Sequence, residues 1–349
     1  MVTELPLPDL ILAEYSCELI LAQGGMLPRH LGATLRGGIA LLLKRAVCLH
    51  PELKYCRDCD LRPRCVYPAV FEPAPPAGSE VLSTHQDVPL PIVLRLPPHW
   101  RPEYQPGDEL SFGLVLAGQL LRYLAYLVAA IEQLGQHGLG PNHIRYRLDR
   151  VVGVSPNGAE SLLIYRAGLM YHADPSFSAR VLGEPLSSPG PPSFLSQERE
   201  GGTFSLLPDR EGGLRGSGPT VTLNFLTPTR LKHADRFVEG PPAFHVVIRA
   251  LLRRVSSLSY FYGGQRWEID YRGWIDRAET VQTAAAEVRW VDWERFSTRQ
   301  QREMNLGGIV GTVTYAGEVA PFMPLLRLGE LVHVGKAAVF GNGRYEIGE

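Results

Sequence analysis

The sequence predicts an α+β chain of two tandem ferredoxin-like (RRM-like) βαββαβ domains, with a cysteine-rich insertion after the first helix. Three observations carry this. A strand–helix–strand–strand–helix–strand order occurs twice, and a run from Gly183 to Pro219 rich in Gly, Pro and Ser separates the two occurrences. Four of the five cysteines crowd between Cys48 and Cys65. The expected division is a first domain over residues 1–182, a linker over 183–218 and a second domain over 219–349, with the cysteine lobe spanning 48–76. A chain of 349 residues is long enough for two cores.

In the first half, Leu10 to Ala22 alternates and is rich in β-formers, which reads as a strand. Gly24-Gly25 breaks it. Leu31 to Val47 follows as a helix, with Leu31, Leu35, Ile39, Leu42 and Val47 near one face. Pro89 to Pro106 holds an edge strand around Ile92–Leu96, because proline is tolerated at sheet edges. Leu110–Ala117 is a strand, Gln119–His137 an amphipathic helix capped by Gly138, and His143–Val154 alternates again.

In the second half, Thr220–Leu226 starts a strand, and Pro241-Pro242 opens a helix running to about Ser259. Thr280–Trp293 and Leu306–Tyr315 are strands. Leu325, Leu326, Leu328 and Leu331 fall near helical spacing, with Gly335 as a stop. Ala338, Phe340, Tyr345 and Ile347 suit a last strand interrupted by Gly341 and Gly343. Glycines inside a strand cost stability unless something approaches the backbone closely, and Lys336 and Arg344 beside them suggest a polyanion.

Composition excludes several classes. Apolar content of 45% and charged content of 20% describe a globular protein. No segment approaches the roughly 20 apolar residues of a membrane span, and the acidic, proline-bearing start lacks a basic n-region, so a cytoplasmic protein is expected. A net charge of −1 argues against a bulk electrostatic binder, so a nucleic-acid site has to come from local clustering. Gly335-Lys336 fails as a P-loop, because Ala337 stands where Ser or Thr would reach magnesium. Gly341-Asn-Gly343 lacks the third glycine and the helix of a dinucleotide site.

Cys56-Arg-Asp-Cys59 is a knuckle that presents two thiolates to one ion, and Cys48 and Cys65 flank it. Four thiolates within eighteen residues suit a tetrahedral structural zinc. An iron–sulfur cluster uses the same ligands, and spacing does not choose between these and reduced structural cysteines. A catalytic metal fits less well, since four thiolates close the coordination sphere. His30 stands beside Arg29 at the entrance of the first helix, where the helix dipole favours a neutral imidazole usable as a general base. Arg230, Lys232 and His233, with Arg249, Arg253 and Arg254, form a local positive excess.

These features together resemble the CRISPR-associated endoribonucleases of the repeat-associated mysterious protein (RAMP) superfamily, which process precursor CRISPR RNA. The resemblance rests on Leu31-Gly-Ala-Thr-Leu-Arg-Gly-Gly38, the cysteine cluster, Thr227-Pro-Thr-Arg-Leu-Lys232, Leu306-Gly-Gly-Ile-Val-Gly-Thr-Val-Thr-Tyr315 and the Gly335–Gly343 loop. It implies two ferredoxin-like domains and CRISPR repeat RNA as substrate. It also implies metal-independent cleavage in which the 2′-hydroxyl attacks the adjacent phosphate, leaving 2′,3′-cyclic phosphate and 5′-hydroxyl ends. That reaction asks for a base, a cation for the phosphorane and an acid. The resemblance points to His30 as base or acid, Lys44 and Arg36 as phosphate cations, Tyr15 as acid and His333 as the rival histidine. It casts Gly335, Lys336, Gly341, Gly343 and Arg344 as RNA contacts, beside Arg29. RAMP proteins also hold guide RNA without cutting it, which gives the alternative of a non-catalytic subunit partnered by other CRISPR effector subunits. The sequence leaves oligomeric state open.

Overall fold

The computed structural model describes residues 4–28, 31–53, 55–75, 88–96, 101, 103–156, 161–171, 174–183, 219–297 and 302–348. Both predicted domains are α+β, and each builds its own antiparallel sheet. In the first, β1 (Ile11–Leu21) leads to α1 (Leu31–Val47) and a short α2 (Val66–Phe71). Next come β2 (Ile92–Arg95), β3 (Glu109–Ala117), α3 (Leu124–His137) and β4 (Tyr146–Val154). The strand order β2–β3–β1–β4 places the first strand at the centre, between the third and fourth, as the ferredoxin-like topology requires. β5 (Ser161–Arg166) and β6 (Leu169–Met170) extend the sheet beyond β4, and β7 (Phe177–Ser178) pairs with the start of β1. β2 lies at an edge, where its proline-dense flanks predicted it.

The second domain repeats the plan. β8 (Thr220–Thr229), a hairpin of β9 (Lys232–His233) and β10 (Arg236–Phe237), α4 (Phe244–Leu258) and α5 (Tyr271–Glu279) come first. β11 (Gln282–Val291), a second hairpin of β12 (Glu294–Ser297) and β13 (Arg302–Asn305), β14 (Gly308–Ala316), α6 (Met323–Val332) and β15 (Tyr345–Gly348) follow. The order β11–β14–β8–β15 is the same arrangement of four strands.

Two readings need correction. Ala338–Phe340 is a 3₁₀ turn, not strand, set between left-handed Ala337 and Gly341, so only Tyr345–Gly348 joins the sheet. The predicted Gln119–His137 helix opens as a 3₁₀ segment over Gly118–Tyr123. α5 was not foreseen, although its start carries an N-cap signal: the Asp270 carboxylate accepts from the Gly273 N–H at 2.9 Å. The predicted linker lies outside the described residues over 184–218.

Burial follows the two periodicities. Ala13, Tyr15, Cys17, Leu19 and Leu21 alternate inward on β1, and α4 buries Val247, Ile248, Leu251, Leu252 and Val255. One continuous apolar cluster contains residues of both halves. Hydrogen bonds across the halves include Leu5 N–H to the Pro321 carbonyl at 2.9 Å, Trp267 Nε1 to that of Pro6 at 3.0 Å and Tyr262 Oη to that of Pro89 at 2.9 Å. The C-terminal loop lies against α1, where Gly32 meets the Phe340 carbonyl.

Candidate nucleic-acid interface

The Gly335–Gly343 loop is packed, not open. Gly341, Asn342 and Gly343 are buried, and Asn342 Nδ2 donates to the Leu306 carbonyl at 3.1 Å. Gly343 takes φ +74°, and a Cβ there would stand 1.8 Å from the Val334 carbonyl oxygen. The Thr227-Pro228 motif is the clamp. Thr227 Oγ1 donates to the Gly341 carbonyl at 2.8 Å and accepts from Arg344 N–H at 2.9 Å, while Gly343 N–H reaches the Pro228 carbonyl at 3.1 Å. On the other side Gly32 of α1 lies so close to the Phe340 carbonyl that a Cβ would meet it at 2.0 Å. The close backbone approach inferred from the glycines is therefore made by the protein's own chain, and Gly341 and Gly343 are not available to RNA in this conformation.

Arg344 is turned inward as well. Its guanidinium donates to the Leu96 carbonyl at 2.6 Å and to Glu346 at 2.7 Å, and its side chain is 11% exposed, so it is occupied at the domain junction. Nearby, Arg95 pairs with Glu14. Arg254 donates to the Val332 carbonyl, and burial lowers its pKa to about 10, so it does not join the surface charge of α4.

The four catalytic candidates separate. His30, with Arg29, lies outside the described residues. Tyr15 is 2% exposed in the sheet interior, and burial, then the Asp174 charge, raises its phenol far above the ordinary value. A buried phenol that resists ionisation has no route to a substrate phosphate. Lys44 lies thirteen residues along α1 from Leu31, roughly 20 Å at the helical rise. Its ammonium sits over the Tyr67 ring at 5.3 Å, at the opposite end of the helix from the C-terminal turn. Arg36 is nearer that turn, half-buried between the Phe71 and Phe340 rings at 5.4 and 5.5 Å.

His333 is the C-cap of α6, at φ 60°, and is fully buried. Its Nδ1 lies 3.1 Å from the Asn342 carbonyl. Burial first, then Arg95 and Arg254, hold its imidazole well below the ordinary histidine range. It therefore folds neutral and out of reach of substrate. The unfolded chain takes up the proton near pH 6.5 and the folded one does not, so stability present above that pH is lost as pH falls below it. Urea midpoints between pH 7 and 5 should show this loss, up to about 1.4 kcal/mol per pH unit, and His333→Gln should flatten the slope. Equal slopes in the two proteins would refute the assignment.

A positive face remains outside this junction. The Lys336 N–H donates to the Arg230 carbonyl at 3.1 Å, which sets the exposed Lys336 beside the β9–β10 hairpin. Arg230 and Lys232 lie over the Phe237 ring at 3.8 and 5.2 Å. The hairpin turns through Ala234 and Asp235 at φ 45° and 62°, a tight geometry strained for residues with side chains. It presents His233 edge-on to His245 of α4, with ring centroids 5.4 Å apart. Arg249 follows one turn later and pairs loosely with Glu279 at 3.7 Å, and Arg253 is exposed a turn beyond. Burial lowers the His245 pKa, with Glu279 opposing. The sequence reading missed His245. Its signal was present: it stands four residues before Arg249 on one helical face.

The cysteines form a separate feature. Cys48, Cys56, Cys59 and Cys65 line one cavity of about 320 Å³ with Lys44, His50 and Tyr67. They do not close into a tetrahedron. Among the described residues, the group of ligand atoms within 4.8 Å of one another is His50, Cys59 and Asp60.

Two family models match the chain. Residues 7–176 match an N-terminal domain model, AF_1859_N, and residues 223–345 match the CRISPR-associated endoribonuclease Cas6. The C-terminal part of the chain, residues 223–345, therefore carries the likeness to Cas6. A Cas6 product complex is 17% identical, with a TM-score of 0.52, covering 97% of this chain and 99% of that one. A partial Cas6-RT-Cas1–Cas2 complex is 12% identical, with a TM-score of 0.52, covering 98% of this chain and 47% of that one. An uncharacterized protein of Archaeoglobus fulgidus is 23% identical over 333 residues, covering 92% of each. At these identities the structural likeness establishes the fold, tandem and ferredoxin-like as expected. The Cas6 domain supports the coarse assignment, CRISPR RNA processing or binding. Among the described residues no helix is long and apolar enough to cross a membrane.

Proposed function

We propose that the chain binds CRISPR repeat RNA along the face from Lys336 through the β9–β10 hairpin to α4, and cleaves it without a metal. The observation that supports this most is the continuity of that face: Lys336, Arg230, Lys232, His233, His245 and Arg249 follow one another through a backbone bond, a shared aromatic ring and a ring contact. Cations spaced along an edge with aromatic support suit a phosphate backbone, and A-form stems are read through phosphates and 2′-hydroxyls. Cleavage would proceed by 2′-hydroxyl attack, leaving 2′,3′-cyclic phosphate and 5′-hydroxyl ends. His30 is the proposed base, because it immediately precedes α1, whose Gly32 abuts the turn next to Lys336. The Cas6-RT-Cas1–Cas2 likeness raises other CRISPR proteins as further partners, and the proposed compartment is the cytoplasm.

The test is incubation with the cognate repeat RNA in EDTA, with and without a 2′-deoxy substitution at the cut site. Cleavage in EDTA that disappears with the deoxy substrate is expected. Cleavage that needs Mg²⁺ overturns the chemistry. A second reading is favoured by one observation, the burial of Tyr15 and His333: a RAMP subunit that holds guide RNA without cutting it. Tight binding of repeat RNA with no cleavage would select that reading.

A further inference from the structure

We infer that the cysteine lobe is a metal site in which Cys48, Cys56, Cys59 and Cys65 hold one zinc ion as thiolates. The first argument is how little else holds the lobe: Arg62 Nη2 donates to the Glu72 carbonyl at 3.1 Å, and Cys56 and Cys65 pack partly buried against the core. From residue 48 to 65 no described residue is buried, and Leu49 and Leu61 are 77% and 38% exposed. A segment of this length without apolar burial needs a staple to keep one shape.

The second argument is geometric. Two 3₁₀ turns follow each other, Cys56–Asp58 and Arg62–Arg64, and each is closed by a cysteine N–H: Cys59 to the Cys56 carbonyl and Cys65 to the Arg62 carbonyl. All four cysteines line the same cavity, and because their sulfurs do not yet converge to within 4.8 Å of one another, binding the ion would draw them together around it. Cys17, the fifth, is fully buried in the β1 sheet and takes no part. The third argument is charge. Four thiolates on Zn²⁺ leave a net charge of −2, and Lys44, Arg62 and Arg64 line the same cavity. The His50, Cys59 and Asp60 grouping is exposed at Asp60, which suits an outer contact to the site rather than a closed set of ligands.

Binding exchanges thiol protons for the ion and releases them to solvent, so affinity falls at low pH. The position gives the site a structural task. Cys48 directly follows α1, its N–H bonded to the Lys44 carbonyl at 2.9 Å, and Cys65 is the N-cap residue of α2. One ion would tie the end of α1 to the start of α2, whose Phe71 supports Arg36.

The experiment uses the full chain equilibrated with Zn²⁺ and then dialysed, with metal counted by mass spectrometry and zinc release followed on titration with a thiol-specific mercurial. Roughly one zinc per chain is expected, released as about four thiols are modified. Cys56→Ser with Cys59→Ser should remove it, and Cys17→Ser should retain it. If the double variant does not fold, Cys65→Ser alone, with circular dichroism as the check on folding, carries the comparison. Substoichiometric zinc with four freely reactive lobe thiols would overturn the proposal. So would iron and sulfide in equal amounts with visible absorption, which would assign an iron–sulfur cluster instead.

Discussion

Gly343→Ala is expected to destabilise the protein by on the order of 4 kcal/mol. Two costs combine. Residue 343 sits at φ +74°, where an L side chain is strained by about 1–2 kcal/mol, and the new Cβ would stand 1.8 Å from the Val334 carbonyl oxygen. Backbone cannot yield as a flexible side chain can, because Val334 N–H donates to the Gly343 carbonyl at 2.9 Å and Gly343 N–H is held by Pro228. The loop would have to leave the Thr227 clamp and with it the contact of Phe340 on α1. Gly107→Ala is the control: φ is +87°, yet nothing lies within 4 Å of the added carbon, so only the conformational strain of about 1–2 kcal/mol is expected. Equal shifts of the two variants in urea midpoint would show that the close approach at 343 is not real.

The fold was legible because both domains announce their periodicities. α1 runs over the predicted residues, Leu31 to Val47, and the central strands fall within a few residues of the alternating runs. The site was less legible, for reasons visible in particular side chains. A glycine marks a close approach but not by whom, and at Gly32, Gly341 and Gly343 the neighbour is another part of this chain. Tyr15 carried the answer in its parity, since it shares a strand face with Ala13, Cys17, Leu19 and Leu21. Arg254 differs from Arg253 by one helical step of about 100°, enough to turn it from solvent into the junction. A run of arginines in sequence does not say which of them a neighbouring element covers.

Lys232→Glu combined with Lys336→Glu is expected to weaken repeat-RNA binding by about 30-fold or more near 0.1 M salt, and to flatten the dependence of log K on log salt by roughly 1.5. Both residues are exposed, one on the hairpin and one on the turn bonded to Arg230, so the pair tests two points of one surface without opening a core. The flattening is the diagnostic quantity. Each lost phosphate contact removes about 0.7–0.9 from the slope, whereas a variant damaged in folding loses active protein and keeps its slope. Arg122→Glu supplies the control, being exposed and next to Tyr123, which lines the cysteine cavity rather than the hairpin face. If Arg122→Glu weakens binding as much as the double variant, with the same change of slope, the RNA does not follow the path from Lys336 to α4. Its phosphates then lie over the cysteine lobe, where Lys44, Arg62 and Arg64 would be the cations to substitute next.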